Sequence, residues 1–121
     1  MEENMNFTVS LKQNHVFRRL YAKGKSQVTP YLALYARKNG CSFNRLGITV
    51  STKLGHAVVR NRVRRRLREI YRIHESLFLP GYDIVVVARV RAVYARFDEL
   101  EHYFLKAACG LNILRREEQK S

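Results

Sequence analysis

The chain has 121 residues, 46% of them hydrophobic, with 23 Lys plus Arg against 10 Asp plus Glu and a net charge of +13. That length suits a single domain over residues 1–121 with a modest core, and the apolar content excludes disorder of the low-hydrophobicity, high-charge kind. No apolar stretch reaches the ~18 residues of a membrane span, the acidic start Met1–Asn6 lacks the order of a signal peptide, and two cysteines, Cys41 and Cys109, make neither a disulfide framework nor a metal cluster, so a cytoplasmic protein with reduced thiols is expected.

The chain opens with a segment, 1–9, that is expected to fray, as is 116–121. Ser10-Leu-Lys-Gln13 fits a capping box, in which the Ser hydroxyl and the Gln amide satisfy helix-start donors. A helix follows to about Ala22, with Val16, Phe17, Leu20 and Tyr21 on one broad face and Gly24 as its stop. Gln27 to Lys38 alternates: Leu32, Leu34 and Ala36 point one way, Tyr31, Ala33, Tyr35 and Arg37 the other. After a turn at Asn39-Gly40, Arg45 to Ser51 alternates again, with Leu46, Ile48 and Val50 on one face. Thr52 to His56 is a loop.

Ala57 to Phe78 fits a helix whose apolar stripe is Val59, Val63, Leu67, Ile70, His74 and Leu77. Arg60, Arg64 and Arg68 form a row beside that stripe, and Asn61, Arg65, Arg68 and Arg72 continue the surface outward. Pro80-Gly81 ends the connection. Asp83 to Arg89 is a continuous apolar run, the mark of a strand covered on both faces. The last helix runs from near Asp98 to about Arg115 on Leu100, Phe104, Ala107, Ala108, Leu111 and Leu114, with acids at its start and Arg115 and Arg116 at its end.

Arg60 to Arg72 is the most specific segment: seven arginines in thirteen residues against one acid, Glu69. The apolar stripe says that this is a folded surface, since a basic tail has no core to bury. With few acids to make i, i+4 pairs, the arginines repel one another until an anion neutralises them. Guanidinium forks match phosphate oxygens, so the surface points to RNA. Tyr31, Tyr35, Arg37 and Arg45 share a sheet face that fits a stacking platform for unpaired bases and equally fits the ordinary strand preference of tyrosine. Phe17 and Tyr21, one helical turn apart, fit simple core packing on periodicity alone.

Ser51-Thr-Lys-Leu-Gly-His-Ala-Val-Val-Arg-Asn-Arg-Val-Arg-Arg-Arg-Leu-Arg-Glu69 resembles the signature of the bacterial ribonuclease P protein subunit. Phe17-Arg-Arg-Leu-Tyr-Ala-Lys-Gly24, Leu46-Gly-Ile-Thr-Val-Ser51 and Asp83 to Arg89 resemble that family's first helix and two of its strands. The resemblance covers roughly Phe17 to Phe104. It implies an α+β fold of order α-β-β-β-α-β-α, with a mixed four-stranded sheet like ribosomal protein S5 domain 2. It also implies a left-handed crossover through the arginine helix, against the usual right-handed rule.

The implied function is noncatalytic in itself. A catalytic RNA, with Mg2+, removes the 5′ leader of precursor tRNA to give the mature 5′ end, and the protein binds that RNA and the leader. The endonuclease is the holoenzyme, and the partners implied are the catalytic RNA subunit and precursor tRNA. Arg60, Asn61, Arg62, Arg64, Arg65 and Arg68 match the helix signature, and Lys53 matches the basic loop. Phe17, Tyr21 and Tyr35 match the aromatic positions of the leader cleft. Thr52 departs from the family's usual Lys.

The residues agree with that assignment. No pair of the ten acids suits a two-metal nuclease, so neither catalytic nor metal-ligating residues are assigned to this chain, and no cofactor is expected on it. His74 lies on the apolar face as a core residue; His56 sits just before the arginine helix, where it could approach RNA, and the sequence does not assign it a contact. Two rival readings are a structural RNA-binding protein of ribosomal type and a metal-dependent nuclease acting alone. Cleavage of precursor tRNA with and without the catalytic RNA separates all three.

Overall fold

The computed structural model describes residues 5–115. Eight principal elements follow in order: β1 (Thr8–Ser10), α1 (Asn14–Lys23), β2 (Lys25–Val28), β3 (Leu32–Lys38), β4 (Asn44–Thr49), α2 (Ala57–His74), β5 (Tyr82–Ala88) and α3 (Phe97–Gly110). The strands form one mixed sheet of order β1-β4-β5-β3-β2. β4 runs parallel to β1 and β5, whereas β3 is antiparallel to β5 and β2. The α+β class is as expected, but the sheet has five strands rather than four.

The sheet separates two cores. Leu32, Leu34 and Ala36 of β3, with Leu46 of β4 and Ile84 and Val86 of β5, meet α2 and α3 on one face. Val63, Leu67, Ile70 and Tyr71 of α2 and Leu100, Phe104, Ala107 and Ala108 of α3 close that layer. Among the described residues the other face carries α1 alone, whose Val16 and Leu20 pack on Val85 together with Leu11. Val85 is buried on one side and Ile84 and Val86 on the other, so the unbroken apolar run of β5 is the signature of a strand with both faces covered.

Several boundaries differ from the sequence expectation. Ser10 ends β1 instead of capping a helix; α1 starts at Asn14 behind Gln13, which makes no side-chain cap. Gly24 does stop α1, but its φ is −77°, so it needs no left-handed freedom. A side chain there would put its Cβ 2.6 Å from the Leu20 carbonyl oxygen, which is why glycine is required. The long alternating segment is split into β2 and β3 at Thr29, whose hydroxyl donates to Leu32 O and accepts from Leu32 N. Tyr31 precedes the regular strand and packs on the α3 side against Tyr103, not with Tyr35. α2 ends at His74, and a 3-10 turn over Glu75–Leu77 leaves Leu77 exposed while Phe78 and Tyr71 fill the core. α3 stops at Gly110, because Asn112 takes φ +60° and Leu114 bridges to Phe78. His74 is half-buried and meets the Glu101 carboxylate at 2.7 Å, so it is a satisfied packing residue.

The strand absent from the sequence reading is β1, in the segment expected to fray. It is held by Glu75, a buried carboxylate that accepts from Asn6 N at 2.7 Å, Phe7 N at 2.9 Å and Thr8 Oγ1 at 2.6 Å. Because the Thr8 hydroxyl donates to Glu75, it accepts from the Tyr71 hydroxyl at 2.7 Å, and Tyr71 accepts from Asn44 Nδ2 at 3.2 Å. Burial pushes the Tyr71 phenol pKa up, which keeps its proton available for that donation. Each donor in this chain polarises the next. Residues 1–4 and 116–121 of the expected frayed ends lie outside the described residues. Glu75→Gln replaces one acceptor oxygen by a donor facing donors. We expect it to cost roughly 1–3 kcal/mol, read by denaturant unfolding, with loss of amide-exchange protection confined to residues 6–10. Unchanged stability would show that β1 docks without this carboxylate.

Candidate nucleic-acid interface

The arginine helix is entered through a tight turn. Ser51 accepts from Lys53 N at 3.1 Å and starts a 3-10 turn over Thr52–Leu54, anchored by buried Leu54. Gly55 has φ +138°, a conformation that L side chains rarely adopt, so the glycine before α2 is a steric requirement. Lys53 and His56 on this turn are both exposed.

α2 then sorts its arginines by role. Arg60, Arg64 and Arg68 are half-buried on the flank of the core stripe, and Asn61, Arg62 and Arg65 are exposed. Arg60 Nε donates to Gly55 O at 3.1 Å and an Arg64 guanidinium nitrogen donates to Asn61 Oδ1 at 2.8 Å. These bonds orient the two forks and leave most of their donors free. Two arginines of the run are occupied elsewhere. Arg66 donates to Ala95 O at 3.0 Å, fixing the turn before α3. Arg72 forms a two-pronged pair with Glu69 at 2.9 and 2.6 Å, and that hydrogen bonding lowers the Glu69 pKa. Among the described residues no carboxylate pairs with Arg60, Arg62, Arg64, Arg65 or Arg68.

On the other sheet face, Phe17 and Tyr21 line one groove, and Tyr35 meets Tyr21 without being among the groove's lining residues. Tyr21 and Tyr35 stand edge to face, with centroids 5.0 Å apart and planes at 76°. Tyr21 is 43% exposed, and its hydroxyl lies 3.3 Å from Thr49 Oγ1. Phe17 is half-buried against Gly47, where any Cβ would sit 2.6 Å from the ring. An open groove of about 400 Å³ is lined by Asn14, Phe17, Arg18, Tyr21 and Thr49. Gly47, Thr49 and Arg18 are therefore members of this site that the residue pattern did not single out. The one available signal was Gly47, since a glycine inside an alternating strand marks a close approach. Arg45 of the expected sheet platform is not free: it holds Asp83 in a two-pronged pair at 2.7 and 2.8 Å, a hydrogen bond that raises its pKa.

Among the described residues there is no group of three or more His, Cys, Asp and Glu placed to hold a metal ion, and no helix is long and apolar enough to cross a membrane. Fold and surface together define an RNA-binding α+β domain with an aromatic groove on one sheet face and a cationic helix on the other. The profile of the family described as Ribonuclease P matches residues 5–110. The chain belongs to the ribonuclease P protein family, and so is a subunit of the ribonuclease P holoenzyme that acts in tRNA 5′ processing. It is 41% identical over 99 residues to the ribonuclease P protein component of Natranaerobius thermophilus, 82% of each chain. The same component of Clostridioides difficile is 43% identical over 99 residues, 81% of this chain and 87% of the relative. The RNase P protein of Staphylococcus aureus superposes with a TM-score of 0.80 at 33% identity, covering 88% of this chain and 97% of that one. For the Thermotoga maritima protein the TM-score is 0.74 at 33% identity, covering 80% and 92%.

Proposed function

We propose that Lys53 and the free forks of α2 (Arg60, Arg62, Arg64, Arg65 and Arg68, with Asn61) hold phosphates of the catalytic RNA, while Phe17, Tyr21 and Tyr35 take unpaired bases of the precursor tRNA 5′ leader. The RNA, with Mg2+, carries out the cleavage in the cytoplasm, and the protein positions both partners. One observation carries this reading. Thr49, on the wall of the aromatic groove, is separated by only two residues from the turn holding Lys53, so groove and arginine helix meet at one end of the sheet. A leader lying in the groove would thus exit toward the cationic surface.

Stacking on an aromatic ring is worth roughly 1–3 kcal/mol per base by alanine substitution. Holoenzyme should therefore bind precursor tRNA with a leader several nucleotides long more tightly than mature tRNA. Tyr35→Ala should shrink that ratio while leaving affinity for mature tRNA nearly unchanged, at one fixed salt and Mg2+ concentration. Equal ratios for the two proteins would place the leader elsewhere. A companion assay uses protein with precursor tRNA and Mg2+ but no catalytic RNA; leader release there would overturn the assignment of the chemistry to the RNA.

A further inference from the structure

A second cavity of about 280 Å³ lies at the opposite end of the sheet from Thr49, on the face that carries α3. Its position follows from the strand register: Lys38 of β3 pairs with Tyr82 of β5, and Lys25 of β2 with Ala36. Six residues of β4, at ~3.3 Å each, put this pole roughly 20 Å from the Lys53 turn. The leader groove and this cavity therefore differ in both sheet face and sheet end.

The chemistry of the cavity is divided. Ala36, Leu111 and Ile113 are buried side chains that make its floor, and half-buried Tyr82 closes one wall. Lys23, Lys25 and Lys38 stand exposed around the mouth. Among the described residues no carboxylate lines it; the neighbouring Asp83 is committed to Arg45 and faces the other side of the sheet. Asn112, held at φ +60° where the chain leaves α3, adds an exposed side-chain amide to the rim. An apolar floor with an aromatic wall suits a planar ring, the amide suits the polar edge of a base, and the ammonium groups suit a phosphate. A bare phosphate would use only the rim, and a neutral apolar ligand only the floor.

We propose that this cavity binds a nucleotide: a base seated between Tyr82 and the Leu111/Ile113 floor, with its phosphate among Lys23, Lys25 and Lys38. The same chemistry is offered by an unpaired nucleotide of an RNA strand and by a free mononucleotide. At about 280 Å³ the cavity lies just below the usual range for small-molecule sites, which fits one nucleotide and not a longer segment.

The test is amide-resolved NMR titration of the full chain with adenosine 5′-monophosphate, a short oligoadenylate and inorganic phosphate. Saturable shifts of the Lys38, Tyr82 and Asn112 amides are expected, with inorganic phosphate at least about tenfold weaker because it forgoes the stacking contribution. Movement with both organic probes shows that free nucleotides enter; movement with the oligoadenylate alone identifies an RNA strand as the occupant. The double substitution Lys25→Ala and Lys38→Ala should weaken binding at the Tyr82 and Asn112 amides about tenfold, without altering the shifts that RNA induces at Arg60–Arg68 or the spectrum of the core. The proposal is overturned if the three amides stay still with both organic probes, if inorganic phosphate binds equally well, or if the double variant binds like the wild type.

Discussion

Affinity for the catalytic RNA should fall by about 10³-fold between 50 and 200 mM monovalent salt, the drop typical of a handful of phosphate contacts. Six cations are placed to make them: Lys53, Arg60, Arg62, Arg64, Arg65 and Arg68. Each phosphate neutralised releases condensed counterions, and at roughly 0.7–0.9 per contact the slope of log K against log salt is about −4 to −5. Arg66 and Arg72 do not enter this count, because the Ala95 carbonyl and the Glu69 carboxylate hold them. Arg65→Ala should accordingly flatten the slope by just under about one unit, and Arg72→Ala by much less. Filter binding or fluorescence titration over a salt series measures both. A flat dependence, or equal effects of Arg65→Ala and Arg72→Ala, would sink the division of labour drawn along α2.

Leu67→Ala should lower the unfolding free energy by roughly 2–5 kcal/mol, because it removes a fully buried side chain where α2 meets the sheet and α3. Arg64→Ala and Arg68→Ala, one turn and one residue away, should leave stability within about ±0.5 kcal/mol and weaken RNA binding instead. Arg64 has a single exposed hydrogen bond to Asn61 to lose. Urea unfolding of the three variants beside RNA affinity at fixed salt makes the comparison. If the arginine variants melt the domain, the forks serve the fold and not the partner. If Leu67→Ala is neutral, the stripe is not the buried side of α2. One helix is thus expected to present two faces with opposite sensitivities, the arrangement that its periodicity requires.

What the sequence determined by itself was whatever a local period or a chemical density could carry. The 3.6-residue spacing of Val63, Leu67 and Ile70 set the buried side of α2. The unbroken Ile84 to Ala88 run marked the strand covered on both faces. The density of arginine against a single acid marked the cationic surface proposed to take phosphates. Tertiary structure decided everything that depended on a partner distant in the chain. β1 carries no period in three residues; it exists because the Glu75 carboxylate, 67 residues further on, takes the Thr8 hydroxyl together with two backbone donors. The end of α3 was set by the left-handed turn at Asn112 and the Leu114 bridge to Phe78, neither of which shows as a break in hydrophobic spacing. Which arginines were free was settled by the Ala95 carbonyl and by the Glu69 side chain in its rotamer. The aromatic groove needed both levels: the resemblance named Phe17, Tyr21 and Tyr35, but only packing of α1 across Gly47 brings a helix residue and a strand residue to ring contact. Local patterns fix which side of an element is apolar; which surface stays open is fixed by what the remaining chain covers, and that is a property of the whole molecule.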